Sequence, residues 1–452
     1  MRLRYITIGL LFPVLVLLVL TGPAQARGFS LIRDAEIENT IRMFGTPLFA
    51  MAGLEPAAVR VYLVKDSSLN AFVAGGQNIF INTGLLIASD SANQVVGVIA
   101  HETGHITGGH LARTQDALRD ASAQSILAMV LGAAAAVAGQ GGAGGAIIAG
   151  GVHVAQRSLL RYSRVQESSA DQAAMDFLDQ TGQSALGMLQ FFEKLGDQEA
   201  LLTASQDPYV RSHPLTRERV NAVRAHVERS RQSDLPDPPA YVEAHARMKA
   251  KLIAFLQSAP QTLRQFPESD TSLPARYARA IARYRQRQTD QALAEVDALI
   301  AERPADPYFH ELKGQILLEH GHAEAAIPPY AEAVRLLPNE ALLRIALGQA
   351  QVSAKSAGHL EAAVKNLEKA IRLAPREPGA WRWLGMAHGR QGDIGRAALA
   401  TAERYMLLGK FKDAMGQARR ATKALPAGSP GQLRAQDILQ AAKAAAARKK
   451  RR

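Results

Sequence analysis

The strongest constraint on this chain is a recurrence in its second half. Pro304, Pro338, Pro375 and Pro426 each follow a helical stretch, at intervals of 34, 37 and 51 residues. The extra three residues of the second interval fit an insertion near Ser356-Ala357-Gly358, and the third is one and a half units of 34. Gly314, Gly348 and Gly385 recur in the first helix of each unit, and Ala325-Ala326, Ala362-Ala363 and Ala397-Ala398 in the second. Small residues there let the two helices approach closely. A two-helix unit cannot bury its apolar faces alone, so the units must stack. The period predicts an α-solenoid of about four repeats from Pro274 to Ala442. Such an array offers a groove for peptides or partner proteins and performs no chemistry.

Chemistry is carried by His101-Glu102-Thr103-Gly104-His105. Residues four apart share one helix face, so the two imidazoles can hold a zinc ion, with Glu102 beside the metal's water. Ser91-Ala92-Asn93-Gln94 predicts a capping box at the helix start, and Val95, Val96, Val98, Ile99 and Ala100 continue an apolar helix into the motif. No proline interrupts the segment before Arg113, which predicts one continuous helix. Burying these polar groups without a partner is costly, and a metal removes that cost.

A catalytic zinc takes three protein ligands and keeps a fourth position for water. His110 fails the pattern with a third histidine six residues after the second, because position 111 is Leu. On a continuous helix it points away from His101 and His105, and it is expected to be a surface or packing histidine. The better candidate lies in Glu167-Ser168-Ser169-Ala170-Asp171, on a helix expected over 163–180. Glu167 and Asp171 share a face, so one can bind metal while the other orients a ligand histidine. By spacing alone an exposed acidic helix face is the commoner reading of such a pair.

Together these segments resemble the HtpX and CAAX-prenyl-endopeptidase type of zinc peptidase. The likeness rests on Val98 to His105, Glu167 to Asp171, Leu69-Asn70-Ala71-Phe72, Phe80 to Leu86, and Ser212-His213-Pro214-Leu215-Thr216 with Arg219, and runs from about Asp34 to Val227. The resemblance implies one Zn2+ per chain on His101, His105 and Glu167, with Glu102 catalytic. It places His213 near the metal, either as an extra ligand or as an aid to the transition state, and it implies supporting roles for Asp171 and Arg219. Asn70, Ala71 and Phe72 are expected to form an edge strand that pairs with extended substrate. The 34-residue helix-turn-helix period resembles tetratricopeptide repeats. Exported members that combine both parts are implicated in assembling outer-membrane β-barrels and in degrading misfolded or stalled ones. The resemblance thus implies unfolded or misassembled outer-membrane proteins and the barrel-assembly machinery as partners. An assembly adaptor or chaperone with a latent protease domain is the rival expectation.

Arg2 and Arg4, the apolar run from Tyr5 to Leu20, and Ala24-Gln25-Ala26 predict a signal peptide over 1–26, cleaved after Ala26, and hence a periplasmic chain. The chain has no cysteine, which excludes disulfides and thiolate zinc ligands. The net charge of +12 is partly local: Arg2 and Arg4 leave with the signal, and six more positives sit in the tail from Lys443 to Arg452. Export makes nucleic acid an unsuitable partner for that tail. From Ala121 to Gln156 no residue is charged and glycines cluster, which suggests an apolar insert that packs on the protease or makes peripheral membrane contact. The expected class is α+β, mostly α. The expected domains are a zinc-peptidase domain over 27–230 with a small sheet, a linker and connecting helix over 231–273, the repeats over 274–442, and a basic tail over 443–452.

Overall fold

The computed structural model describes residues 30–114, 116, 122, 129, 163–201 and 213–450. The expected signal peptide lies outside the described residues, as does nearly all of the apolar insert.

Four short strands, β1 (Leu31–Ile32), β2 (Arg60–Val64), β3 (Ala71–Val73) and β4 (Asn78–Asn82), form one sheet in the order β1-β2-β4-β3. β2 and β4 run parallel, and the outer pairs are antiparallel. Alternation puts Val61, Leu63, Ile79, Ile81 and Ala71 on the buried face. Against that face pack α1 (Ala35–Met51), α2 (Thr83–Ala88) and α3 (Ala92–Thr107). Ile41, Phe44, Leu48, Phe49, Val95 and Ile99 are wholly buried there. Each such side chain contributes about 1.5–3 kcal/mol. Helix α4 (residues 163–180), α5 (Leu186–Leu201) and α6 (Arg217–Val227) complete the peptidase layer.

Helix α3 starts where expected, with the Ser91 side chain accepting from Gln94 N. The Gln94 side chain reaches back one residue further than the capping box predicts, accepting from Asp90 N at 3.0 Å. The helix does not run to Arg113. It ends at Thr107, Gly108 caps it, and Gly109 has φ 62°, a left-handed conformation that glycine adopts without penalty. A new helical turn begins at His110.

The connecting helix expected after the Pro-rich linker is α7 (Pro239–Leu256), which belongs to both cores: Met248 and Leu252 pack with the peptidase, Ala250 and Ala254 with the repeats. After α8 (Ala259–Gln265) come paired helices. These are α9 (Leu273–Arg285) with α10 (Thr289–Glu302), α11 (Pro307–Glu319) with α12 (Ala323–Leu336), α13 (Ala341–Ser353) with α14 (Leu360–Leu373), α15 (Pro378–Arg390) with α16 (Ile394–Leu407), and α17 (Phe411–Ala424) with α18 (Pro430–Lys450). Successive pairs start at 273, 307, 341, 378 and 411, so the described residues hold five pairs where the proline spacing suggested about four. From Lys443 to Lys450 the expected basic tail is the end of α18.

Buried charges weld the two parts. Arg247 on α7 binds Glu36 at 2.7 Å and also Asp306, while Lys251 lies 2.9 Å from Asp34 and 3.2 Å from Glu36. Asn39 Nδ2 donates to Tyr308 Oη at 3.1 Å and to Glu340 Oε2 at 3.0 Å. The first turns of α1 therefore rest on the repeats. Among the described residues no helix is long and apolar enough to cross a membrane.

Candidate metal centre

One turn of α3 separates His101 and His105, and their Nε2 atoms lie 3.0 Å apart. Gly104 between them lets α4 come close: a Cβ there would sit 2.7 Å from the Ala170 carbonyl oxygen. That approach delivers Glu167, one turn earlier on α4. Its Oε2 lies 3.4 Å from His101 Nε2 and its Oε1 3.4 Å from His105 Nε2. His213, three residues before the α6 cap at Thr216, brings Nδ1 to 3.4 Å from His101 Nε2 and 3.2 Å from each Glu167 oxygen. One donor atom from each of the four residues fits within 4.8 Å of all the others.

These spacings test whether a metal fits. Ligands about 2.0–2.1 Å from a tetrahedral zinc lie about 3.3–3.4 Å from one another. The separations of 3.0–3.4 Å among His101, His105 and Glu167, and from His213 to His101, match that edge length. An all-nitrogen-and-oxygen donor set suits zinc.

Partners behind the ligands orient them. His101 Nδ1 lies 2.9 Å from Asp171 Oδ1. Asp171 is gripped by Arg219, through Nε at 2.6 Å and Nη2 at 2.8 Å. Arg219 Nη1 also lies 3.0 Å from Glu167 Oε2 and donates to the Pro214 carbonyl at 2.9 Å, and the guanidinium stacks over Phe192. One arginine thus ties α4 to the chain that carries His213.

Burial would keep His101 neutral, yet Asp171 and Glu167 outweigh it and push its pKa up to about 9. Burial and the charge on His101 hold His105 well below the usual imidazole range. Burial opposes ionisation of Glu167, but His213 and His101 hold it below the usual carboxylate range. Glu102 is fully buried, which pushes its carboxyl up against the pull of His213 and His101. Both Glu102 oxygens lack a hydrogen-bond partner among the described residues, and His213 Nε2 is 3.6 Å from Oε1. A buried carboxylate with unmet acceptors beside a ligand cluster suits a group that handles water.

All the candidate ligands meet in one place, together with Glu102, Asp171 and Arg219. His110, expected as a surface or packing histidine, packs against His105. It is 5% exposed, and its Nδ1 lies 2.9 Å from His105 Nδ1. It does not point away from His105, as it would on a continuous helix, because Gly108-Gly109 turns the chain back. Those two glycines were the available signal.

Asn70, Ala71 and Phe72 lie at the edge of the sheet, and β3 packs on α3. The Asn70 carbonyl accepts from Asn82 N at 2.8 Å, and Ala74 N donates to Asn78 O at 3.0 Å. In an antiparallel pair alternate residues exchange both bonds. Asn70, Phe72 and Ala74 therefore turn their main-chain groups toward β4, while Ala71 and Val73 direct theirs toward the open edge.

Residues 35–227 match the model of peptidase family M48, and residues 277–341 and 352–407 match tetratricopeptide repeats. The chain is 26% identical over 407 residues to the beta-barrel assembly-enhancing protease of Yersinia pestis, spanning 89% of this chain and 83% of that protein. It is 25% identical over 416 residues to the protein of the same name in Escherichia coli K12, spanning 91% and 84%. Metalloprotease LoiP of the same organism is 29% identical over 172 residues, 38% of this chain and 62% of that one.

Proposed function

This chain is a metalloendopeptidase, a peptidase family M48 domain joined to tetratricopeptide repeats, and from that premise we propose that it cleaves extended segments of misfolded or stalled outer-membrane β-barrel proteins in the periplasm. The observation that carries the catalytic part is the quartet of His101, His105, Glu167 and His213, whose donor atoms all lie within 4.8 Å of one another. The barrel-protein part draws on the names of the relatives, and the periplasmic part on the N-terminal signal.

His101, His105 and Glu167 would hold the ion. Bound there, zinc supplies Lewis acidity toward the scissile carbonyl and a water whose pKa falls to about 7. Glu102, fully buried and facing the cluster, would be the group that accepts a proton and passes it to the leaving amine. Ala71 and Val73 offer main-chain groups to a substrate strand, which selects extended over folded chains. Asp171 and Arg219 keep His101 and Glu167 oriented.

His213 favours a second reading of the same site. Its Nδ1, 3.4 Å from His101 Nε2 and 3.2 Å from each Glu167 oxygen, would be a fourth ligand in place of the water that a catalytic zinc needs. With His213 holding that position the protease would be latent, and the repeats would serve assembly. Casein cleavage by the full chain and by Glu102→Gln, together with barrel assembly in cells carrying either form, tests the proposal. Cleavage that Glu102→Gln abolishes supports it. Full rescue of assembly by Glu102→Gln, with no cleavage by either form, selects the adaptor reading.

A further inference from the structure

We infer that His110 is a positioning residue for the metal centre: its ring accepts a hydrogen bond that holds His105 in the tautomer with the proton on Nδ1 and the Nε2 lone pair aimed at the ligand cluster. This rests on the metal reading of the site. A neutral imidazole carries one proton on two nitrogens. With the His105 Nε2 atom 3.0 Å from His101 Nε2 and 3.4 Å from Glu167, a ligand role requires its proton on Nδ1. The group facing that nitrogen is His110 Nδ1 at 2.9 Å. A ligand histidine commonly donates its second N–H to a carboxylate or a carbonyl. Here the acceptor is another histidine, which in turn must carry its own proton on Nε2.

The local sequence is shaped to put that ring there. Gly109 takes φ 62°, which reverses the chain directly after α3 and brings His110 back over His105. A Cβ on Gly108 would lie 2.3 Å from His110 Nε2 and 2.7 Å from its Cε1, so only glycine leaves room for the ring. The main chain of His110 does a second job. Its carbonyl accepts from Gln166 Nε2 at 3.2 Å, and Gln166 immediately precedes Glu167. The side chain of His110 thus orients one candidate ligand, and its main chain anchors the helix that supplies another.

Side-chain geometry supplies the test. In histidine and in asparagine an acceptor atom is bonded directly to Cγ, so His110→Asn puts an amide oxygen nearly where Nδ1 stands. His110→Leu fills similar space with no acceptor. The full chain, stripped of metal, is titrated with Zn2+ against a competing chelator, and long-range 15N spectra of the imidazoles report the His105 tautomer. His110→Leu is expected to weaken zinc binding about 10- to 100-fold and to lose the single Nδ1–H form of His105. His110→Asn is expected to keep both within about 3-fold of the natural chain. Gly108→Ala removes no polar group, yet it displaces the ring and is expected to behave like His110→Leu, which keeps the test decisive if the leucine variant fails to fold. Unchanged affinity in His110→Leu or Gly108→Ala, or an equal loss in His110→Asn and His110→Leu, overturns the inference. Failure of the natural chain to bind zinc refutes the metal reading itself, a result distinct from any difference among variants.

Discussion

Gly104→Ala probes the geometry of the site without touching a ligand. The added Cβ would lie 2.7 Å from the Ala170 carbonyl oxygen and 3.0 Å from Ala170 Cα, both main-chain atoms that cannot rotate aside. Carbon–oxygen contacts begin near about 3.3 Å, so α4 must retreat by roughly 0.6 Å. Glu167 rides on that helix three residues before Ala170, and metal ligands tolerate displacements of about 0.2 Å. The expected result is a loss of zinc affinity of at least about 10-fold, the scale seen when a ligand's orientation is disturbed. Stability should change less. Alanine gains about 1 kcal/mol of helix propensity over glycine, while overpacking costs about 1–3 kcal/mol, leaving roughly 0–2 kcal/mol of net destabilisation. Chelator competition with Zn2+ reads the first quantity, and denaturant unfolding of the metal-free chain reads the second. A variant that binds zinc as tightly as the natural chain and unfolds at higher denaturant would refute the reasoning.

Three further outcomes follow from the same geometry. Arg247→Ala takes the shared cation from buried Glu36, which keeps Lys251, and from half-buried Asp306, and should cost about 3 kcal/mol in chemical unfolding, whereas a loss under about 1 kcal/mol would show that the joint is not electrostatic. Val73→Pro removes an N–H that points away from the sheet, so casein KM should rise several-fold with the melting temperature nearly unchanged. His245, buried against Ser89, has its pKa lowered by burial from 6.5 to about 4, so the unfolded chain binds the proton more readily. Its contribution is therefore complete above pH 6.5 and is lost as pH falls toward 4, by about 3 kcal/mol in all. His245→Gln should flatten that part of the stability profile, as unfolding at several pH values can measure.

Local chemistry was legible where neighbours in sequence decide it. Ser91 caps α3 because its side chain needs only the amide three residues on, and the i, i+4 spacing of His101 and His105 follows from the helix alone. The partner of Arg219 was not legible, because Asp171 lies 48 residues away and meets it only once α4 and α6 have packed. The end of α3 was misjudged because two glycines outweigh an otherwise helical pattern. The fifth helix pair was hidden because its first helix begins after Gly409-Lys410 with no proline to mark the boundary. Helix α7 was legible as a connecting helix, but its part in two cores was not, because its apolar residues are divided between them.

Metal analysis of the purified full chain by mass spectrometry tests the central claim most directly. The account predicts one zinc per chain, retained in Glu102→Gln and lost in His101→Ala and Glu167→Ala. A natural chain that stays metal-free after incubation with Zn2+, or a Glu167→Ala variant that holds zinc as firmly as the natural chain, would contradict it.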